Sequence, residues 1–508
     1  MAKKTSSGSG SKSGAKRPVR KVVKKVAAKA KKPIAKKAAP KKVATKKPAV
    51  RKATKPSSVV KKTTIKRKSA AKKPSIKTVA YNPVPKKNGV RQKAKPELSA
   101  VSKILVEKGR QFYTQNYKPR EMIIDRGKGA RIWDKDGNEY VDFAAGIAVN
   151  GLGNANPKLV KVLTEQAKKL WHTSNVFFNE PAILLAEELV RCSGFAKRVF
   201  FCSSGGEANE AAIKIARKYA ADKGKPPEAR KIISFTGSFH GRTLATVTMT
   251  AQPKYQQGFE PVPAGFIYCP FNDREAFANM MGDDVCAVIS EVVQGEGGIR
   301  PAASGFLKFV QDLCRKHDAL LILDQVQCGM GRTGHLFSHF AEEGVVPDIV
   351  SLAKGLGGGI PIGASLIGER AADTFQFGNH GSTYGGSPLA TAVALEVVKQ
   401  LQSKTLQKNV VERGKQLVAG LEVLKERYGI FSDIRGRGLM IGAELAAPYK
   451  GKAGDLAEHA RVQRLLILQA GPDVMRMVPP LVIHEWDIKS GLKRLEFAIQ
   501  SFLLEQKP

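Results

Sequence analysis

The chain has 508 residues, 85 of them Lys or Arg against 44 Asp or Glu, for a formal net charge of +41. The excess is uneven: residues 1–96 hold 34 basic residues and no acidic one, whereas the other 51 basic residues face all 44 acids. The body is therefore nearly balanced in charge, and no apolar run in it approaches the roughly 20 residues of a membrane helix, which excludes a bilayer-spanning helical protein.

Residues 1–96 cycle Lys, Ala, Pro, Val and Thr, as in "KKVAAKAKKPIAKKAAPKKVATKKPAV", with Tyr81 the only aromatic. Dense like charge and little apolar surface cannot offset chain entropy, so disorder is expected there. The segment resembles the lysine-rich tails of linker histones, which implies contact with nucleic acid or another polyanion through counterion release. A targeting segment and a purely solvating extension are the alternatives, although the many prolines oppose the amphipathic helix of a transit peptide. The six cysteines, at 192, 202, 269, 286, 314 and 328, form no CxxC pair. They read as reduced thiols in a cytoplasmic protein rather than as a disulfide framework.

From about residue 160 the body alternates short apolar runs with longer helical patterns, the signature of an α/β fold with a mostly parallel sheet. In chain order the expected strands are "RVFFC" (198–202), "KIISF" (231–235), "ATVTM" (245–249), "CAVISE" (286–291), "ALLILD" (319–324), "DIVSLA" (348–353) and "GASLIG" (363–368). Helical patterns cover "GEANEAAIKIARKYAADKG" and "GFLKFVQDLCRKHD". The expected division is a tail at 1–96, a large domain at 156–390, and a smaller α+β domain built from 97–155 and 391–508.

In open α/β sheets ligands bind beyond the carboxyl ends of the strands. Five of these runs are followed by polar or glycine-rich segments: "SSGGEANE", "TGSFHGRT", "VVQGEGG", "QVQCGMGRTG" and the stretch "KGLGGG" that begins at Lys354. The first opens directly into a helix, whose unpaired N–H groups and dipole make an anion site that Gly205 and Gly206 let a phosphate approach. Neither GxxxxGK[ST] nor a GxGxxG at a first βα turn is present, which argues against ATP or NAD. Read alone, Lys354 could be a surface lysine snorkelling at a strand end, and Asp324 a helix cap after a strand. Together with a monophosphate site they match the needs of pyridoxal phosphate, which are a phosphate cradle, an amine for a Schiff base, and a carboxylate for the ring nitrogen.

From about Asn116 onward the chain resembles the class III pyridoxal-phosphate aminotransferases, specifically the acetylornithine/ornithine group. The matching stretches include "HTSNVFFNEP", "RVFFCSSGGEANEAAIKIARKYA", "GSFHGRTLATVTMTAQPKY", "QGEGGIRPA", "SLAKGLGGGIPIGA", "HGSTYGGSPLA", "IRGRGLMIG" and "LQAGPDVMRMVPPL", in family order. The resemblance implies a fold type I transferase in which Lys354 bonds the cofactor and moves the substrate proton while Asp324 pairs with the pyridine nitrogen. It implies that Gln327 contacts the ring hydroxyl, Phe239 stacks on the ring, and Ser204, Gly205 and Gly206 hold the phosphate. Thr383 matches a phosphate ligand given by a neighbouring subunit, so a homodimer with shared sites is implied.

For substrates, the resemblance implies Tyr117, Ile147, Arg242 and Ser382 as contacts, Arg242 receiving an α-carboxylate. Glu296 and Arg435 resemble a gate pair, in which the glutamate neutralises the arginine until 2-oxoglutarate arrives. Family members acting on free ornithine carry a tyrosine where this chain has Ile147, which favours N2-acetylornithine as donor and a place in arginine biosynthesis. Succinylornithine, succinyl-diaminopimelate and free ornithine are the alternative donors. A nucleic-acid-associated protein with a degenerate aminotransferase body is the alternative of another class.

Five positions depart from the family pattern: Asn154, Ser203, Val292, Gln325 and Ser387. Gln325 removes a charge beside Asp324 and is expected to bear on its ionisation. His335 and His339 share i, i+4 spacing but lack an HExxH glutamate or a third ligand, so no metal is expected.

Overall fold

The computed structural model describes residues 97–506, all within one compact unit. The lysine-rich segment 1–96, where disorder and polyanion contact are expected, lies outside the described residues. A seven-stranded sheet runs in the order Ala196–Cys202, Gly363–Gly368, Ile349–Leu352, Leu320–Asp324, Val285–Glu291, Lys231–Phe235, Phe266–Cys269. Only Gly363–Gly368 runs against its neighbours.

The central strands are apolar throughout because both faces of the sheet are covered. Leu321, Leu323 and Val350 pack into one hydrophobic core, while the alternating Leu320, Ile322 and Ile349 pack into another. The period-2 geometry of a strand makes that division. On the second face lies the helix Gly205–Asp222, which presents Ala212, Ile215, Ala216 and Tyr219 to the sheet.

One expected strand is a helix. "ATVTM" lies in Leu244–Met249, although its β-branched residues favour strands. The threonine hydroxyls overturn that preference: Thr248 donates to the Leu244 carbonyl at 2.7 Å, and Thr250 to the Thr246 carbonyl at 2.9 Å. Thr246 Oγ1 also accepts from the Thr243 N–H at 3.1 Å, which satisfies an otherwise orphaned donor of the first turn. The sheet gains instead an edge strand not expected from the sequence, Phe266–Cys269, parallel to Lys231–Phe235.

Two four-stranded sheets are built from the segments before and after the large one. One joins Ile124–Lys128, Arg131–Asp134 and Glu139–Asp142 to Leu465–Leu466, bringing the two ends of the body together. The other orders Phe431–Arg437, Met440–Leu445, Val474–Met477 and Leu468–Gln469. The expected limit at residue 390 falls inside the helix Pro388–Leu401. No described helix is long and apolar enough to cross a membrane.

Candidate active site

The parallel register sets the site. Asp324 closes the strand Leu320–Asp324 and stands opposite Glu291, which closes Val285–Glu291, and opposite Ser351 on the other side. Lys354 follows two residues beyond Ile349–Leu352, at φ 42°. That left-handed conformation is uncommon for a residue with a side chain. Asp324, Glu291 and Lys354 line one cavity of about 370 Å3, together with Ser204, Gly205, Gly206 and Phe239 from the ends of neighbouring strands. Glu296 and Gln327 complete the expected residues on its wall.

Lys354 Nζ has no hydrogen-bond or ion-pair partner among the described residues. Burial, aided by the nearby Arg476 charge, pushes its pKa below the ordinary lysine value, with Glu296, Asp324 and Glu291 opposing. Disfavouring the charged form in this way suits a lysine to act as a nucleophile.

Asp324 is buried and held by three donors. Its Oδ2 accepts from Asn209 Nδ2 at 2.8 Å and lies 2.8 Å from His240 Nδ1, and its Oδ1 accepts from the Val326 N–H at 2.9 Å. His240 Nε2 and Asn209 Oδ1 are buried without partners. Glu291 accepts from the N–H groups of Phe239 and Gly295 at 3.0 and 2.9 Å. Burial first, and the Asp324 charge with it, raise the Glu291 pKa to about 7 against the opposing pull of His240.

At the other end of the cavity the helix Gly205–Asp222 begins. Ser204 Oγ accepts from the Glu207 N–H at 3.2 Å, and the Ala208 N–H donates to the Ser204 carbonyl. The Gly205 and Gly206 amides of this first turn are left open for an anion. Gly205 also permits a close approach, since a Cβ there would come within 2.7 Å of the Val326 side chain.

The expected pairing of Glu296 with Arg435 does not form. Glu296 pairs instead with Arg476, whose Nη1 lies 2.5 Å from its Oε1 and also donates to Gln327 Oε1 at 3.2 Å. Arg435 is occupied elsewhere, by Asp433, Glu444 and the Gly298 carbonyl. The reason is topological: Arg476 sits on Val474–Met477 and is buried beside the cavity, while Arg435 sits on the next strand but one, where its guanidinium meets the Gly298 and Ile299 carbonyls further along the loop that carries Glu296.

Arg242 does not line the cavity but follows Gly241, which does. Its guanidinium lies over Tyr255, 4.0 Å from the ring centroid, and 5.3 Å from that of Phe239. Tyr117, Ile147, Ser382 and Thr383 lie outside the cavity wall of this chain. Ile147 is 42% exposed, so it is not a core residue, and it holds φ 62° between Gly146 and Ala148, which are also left-handed. Ser382 and Thr383 belong to a segment tied down by Asn175, whose Nδ2 donates to the Ser382 and Gly385 carbonyls.

Gln325 points away from Asp324, as its place next to Asp324 on an extended chain requires. Its Oε1 accepts from the Ser338 N–H at 2.7 Å and its Nε2 lies 2.6 Å from His339 Nδ1. Asn209, His240, Glu291 and Arg476 are site residues that the sequence reading did not assign. Glu291 carried a readable signal, since it closes an apolar run just as Asp324 does.

The family model for aminotransferase class III matches residues 112–499. An acetylornithine aminotransferase of Xanthomonas campestris pv. campestris is 55% identical over 395 residues, covering 78% of this chain and 97% of that protein. An acetylornithine/succinyldiaminopimelate aminotransferase of Yersinia pestis is 50% identical over 387 residues, 76% of this chain and 95% of that one. Among solved structures, the N-acetylornithine aminotransferase from Stenotrophomonas maltophilia K279a is similar with a TM-score of 0.70 at 48% identity, over 79% of this chain and 100% of that chain. The ornithine aminotransferase from Toxoplasma gondii ME49 is similar with a TM-score of 0.77 at 33% identity, over 81% of this chain and 97% of that chain. With a model covering most of its body and relatives matched along nearly their whole length, this chain belongs to the class III aminotransferases, which use pyridoxal phosphate.

Proposed function

We propose that the protein moves the terminal amino group of N2-acetylornithine to 2-oxoglutarate, giving N-acetylglutamate semialdehyde and glutamate, as a cytoplasmic step of arginine biosynthesis. The observation that carries this reading is one cavity holding an unpartnered lysine, a buried carboxylate and an open helix N-terminus, in a chain 55% identical to an acetylornithine aminotransferase.

The residues fit pyridoxal phosphate. The Gly205 and Gly206 amides, capped from below by Ser204, would hold its phosphate. Asp324 would face the ring nitrogen, Phe239 the ring plane, and Gln327 the ring hydroxyl. The orphaned His240 Nε2 and Asn209 Oδ1 support a polar site still short of partners. When bound, the cofactor supplies an aldehyde that takes up the amino group and a ring that withdraws electrons from the neighbouring carbon. Lys354 would offer the Nζ that anchors it and, once displaced by the substrate's amine, would carry a proton from the substrate carbon to the cofactor carbon that bore the aldehyde. His240 and Asn209 orient Asp324, so its carboxyl group is held in place before substrate arrives.

Arg242, parked on an aromatic face and without an ion pair among the described residues, is suited to receive the donor's α-carboxylate. Glu296 neutralises Arg476 while a donor without a second carboxylate is bound, and releases it for 2-oxoglutarate. The apolar Ile147 favours an acylated α-amine over a free one.

The working unit in this reading is a homodimer whose sites are completed by Thr383, Ser382, Tyr117 and Ile147 across the interface. Its support is an exposed apolar belt: Phe178 is 95% and Phe377 fully exposed, and the segments bearing Trp171 to Phe178 and Phe377 to Tyr384 are joined by the Asn175 bonds and a His172–Tyr384 ring contact at 5.3 Å. Such a patch is costly on a monomer. The reading keeps residues 97–155 and 391–508 as the smaller domain and 156–390 as the larger. The +34 tail adds nucleic-acid or other polyanion binding, which deletion of residues 1–96 would abolish together with its salt dependence.

The test is a panel of acylated and free diamino acids with 2-oxoglutarate as acceptor, read as glutamate formed. N2-Acetylornithine is expected to give the highest kcat/KM. Borohydride reduction followed by peptide mapping is expected to leave the cofactor on Lys354, and an adduct elsewhere would overturn the assignment.

A further inference from the structure

Arg435 has its charge already spent. Its Nη1 donates to Asp433 Oδ2 and to Glu444 Oε2, each at 2.7 Å, and the bond to Arg435 holds the Glu444 carboxyl below its ordinary range. Two carboxylates on one guanidinium edge leave no net attraction there for an incoming anion. The other edge is also filled: Nε donates to the carbonyls of Gly298 at 2.9 Å and Ile299 at 3.2 Å, and Nη2 donates to Gly298 at 2.7 Å.

The strand register explains what this grip does. Arg435 and Arg476 are both register partners of Gly442, one on each side, so the three lie in a row across the sheet. Partners in adjacent strands present their side chains to the same face. The loop that carries Glu296 rests on that row, since a Cβ on Gly442 would come within 2.8 Å of the Ile299 Cβ. The loop backbone is left-handed at Gly298, φ 95°, and at Ile299, φ 53°, so its path needs holding. One arginine grips the loop's carbonyls and the other its carboxylate.

We propose that Arg435 is a positioning residue that holds loop 296–299 on Gly442 so that Glu296 reaches Arg476, and that it thereby sets how well the enzyme distinguishes its amino donor from glutamate. The inference rests on the gate reading above. With Glu296 held, Arg476 is masked and a dicarboxylate donor is disfavoured; with the loop released, Arg476 is bared and glutamate gains.

The experiment measures the first half-reaction on the holoenzyme with glutamate and with N2-acetylornithine, and takes the ratio of the two kcat/KM values. Glu296→Gln is expected to raise the glutamate share by about tenfold or more, and Arg435→Gln by about three- to tenfold in the same direction. Arg435→Lys, which keeps the ion pairs but has no fork for two carbonyls, is expected to rescue only part of the change. Gly442→Ala disturbs the loop from beneath and is expected to act in the same direction, so the proposal does not hang on one variant folding. A merely structural defect lowers both rates by a common factor and leaves the ratio unchanged. Backbone hydrogen exchange over 296–299, read without substrate, is expected to quicken in Arg435→Gln. An altered ratio in Glu296→Gln with none in Arg435→Gln and Gly442→Ala overturns the role of Arg435 and leaves the gate standing. No change in Glu296→Gln overturns the gate reading and this inference with it.

Discussion

Glu291 and Asp324 are register partners on adjacent parallel strands, and among the described residues neither has an arginine or lysine ion pair. Two carboxyl groups at one cavity edge make the second charge costly. Burial, with the Asp324 charge beside it, raises the Glu291 pKa to about 7. An unfolded chain gives up the Glu291 proton at a lower pH than the folded one. Wild-type stability therefore falls as pH rises from the ordinary carboxylate range to about 7. Glu291→Gln removes this slope while adding a fixed penalty of about 1–3 kcal/mol, because one of two backbone N–H groups loses its acceptor. The difference in melting temperature between variant and wild type, measured on cofactor-free protein, is expected to move in the variant's favour across that window.

Lys354 gives the opposite slope. Burial lowers its pKa, so between the folded value and the free value of about 10.4 the unfolded chain binds a proton that the folded chain does not. That cost is greatest below the folded value and fades as pH rises towards the free one. Lys354→Met, of similar length and apolar, is expected to melt higher than the wild type without cofactor at neutral pH, with the gap closing as pH rises. A gap independent of pH up to the free value would mean that folding does not lower the lysine pKa.

The sheet was legible because strands buried on both faces need unbroken apolar runs, and "CAVISE" and "ALLILD" have them. Asp324 and Lys354 stood out because they interrupt or follow such runs at the edge where ligands bind. "ATVTM" misled because hydroxyl-to-carbonyl bonds, invisible to β propensity, let its threonines sit in a helix. The choice between Arg435 and Arg476 could not be made locally, since both flank Gly442 in a sheet whose register brings together residues more than 30 positions apart. Asn209 and His240 are likewise tied to Asp324 only by the fold, across 115 and 84 residues of chain. Thr383 and Ile147 were read from resemblance, and nothing in one chain's packing explains them.

Gln325 is tuned to a neutral histidine. Its Oε1 accepts from the Ser338 N–H, so its amide must donate to His339 Nδ1, and burial keeps His339 uncharged by lowering its pKa to about 4. A glutamate at this position could not donate unless protonated. Gln325→Glu is therefore expected to destabilise by about 1–3 kcal/mol near neutral pH, and less in mild acid where the new carboxyl keeps its proton. Denaturant melts at the two pH values check both the loss and its sign. Equal loss at both would place the cause in packing and not in the missing donor.

The stacking of Arg242 on Tyr255 yields the last prediction. The guanidinium lies 4.0 Å from the ring centroid, and Tyr255 meets Phe239 edge to face at 5.9 Å. The ring thus fixes a cation whose hydrogen-bonding fork stays open, and such contacts are worth about 0.5–2 kcal/mol. Tyr255→Phe keeps the aromatic face and is expected to leave kcat/KM for the acylated donor near the wild-type value. Tyr255→Ala frees the arginine and is expected to lower it by about three- to tenfold, mainly through KM, since orientation of the carboxylate is lost and the amine chemistry at Lys354 is not. Half-reaction kinetics separate the two effects. A Phe variant as impaired as the Ala variant would assign the effect to the hydroxyl and sink the stacking account.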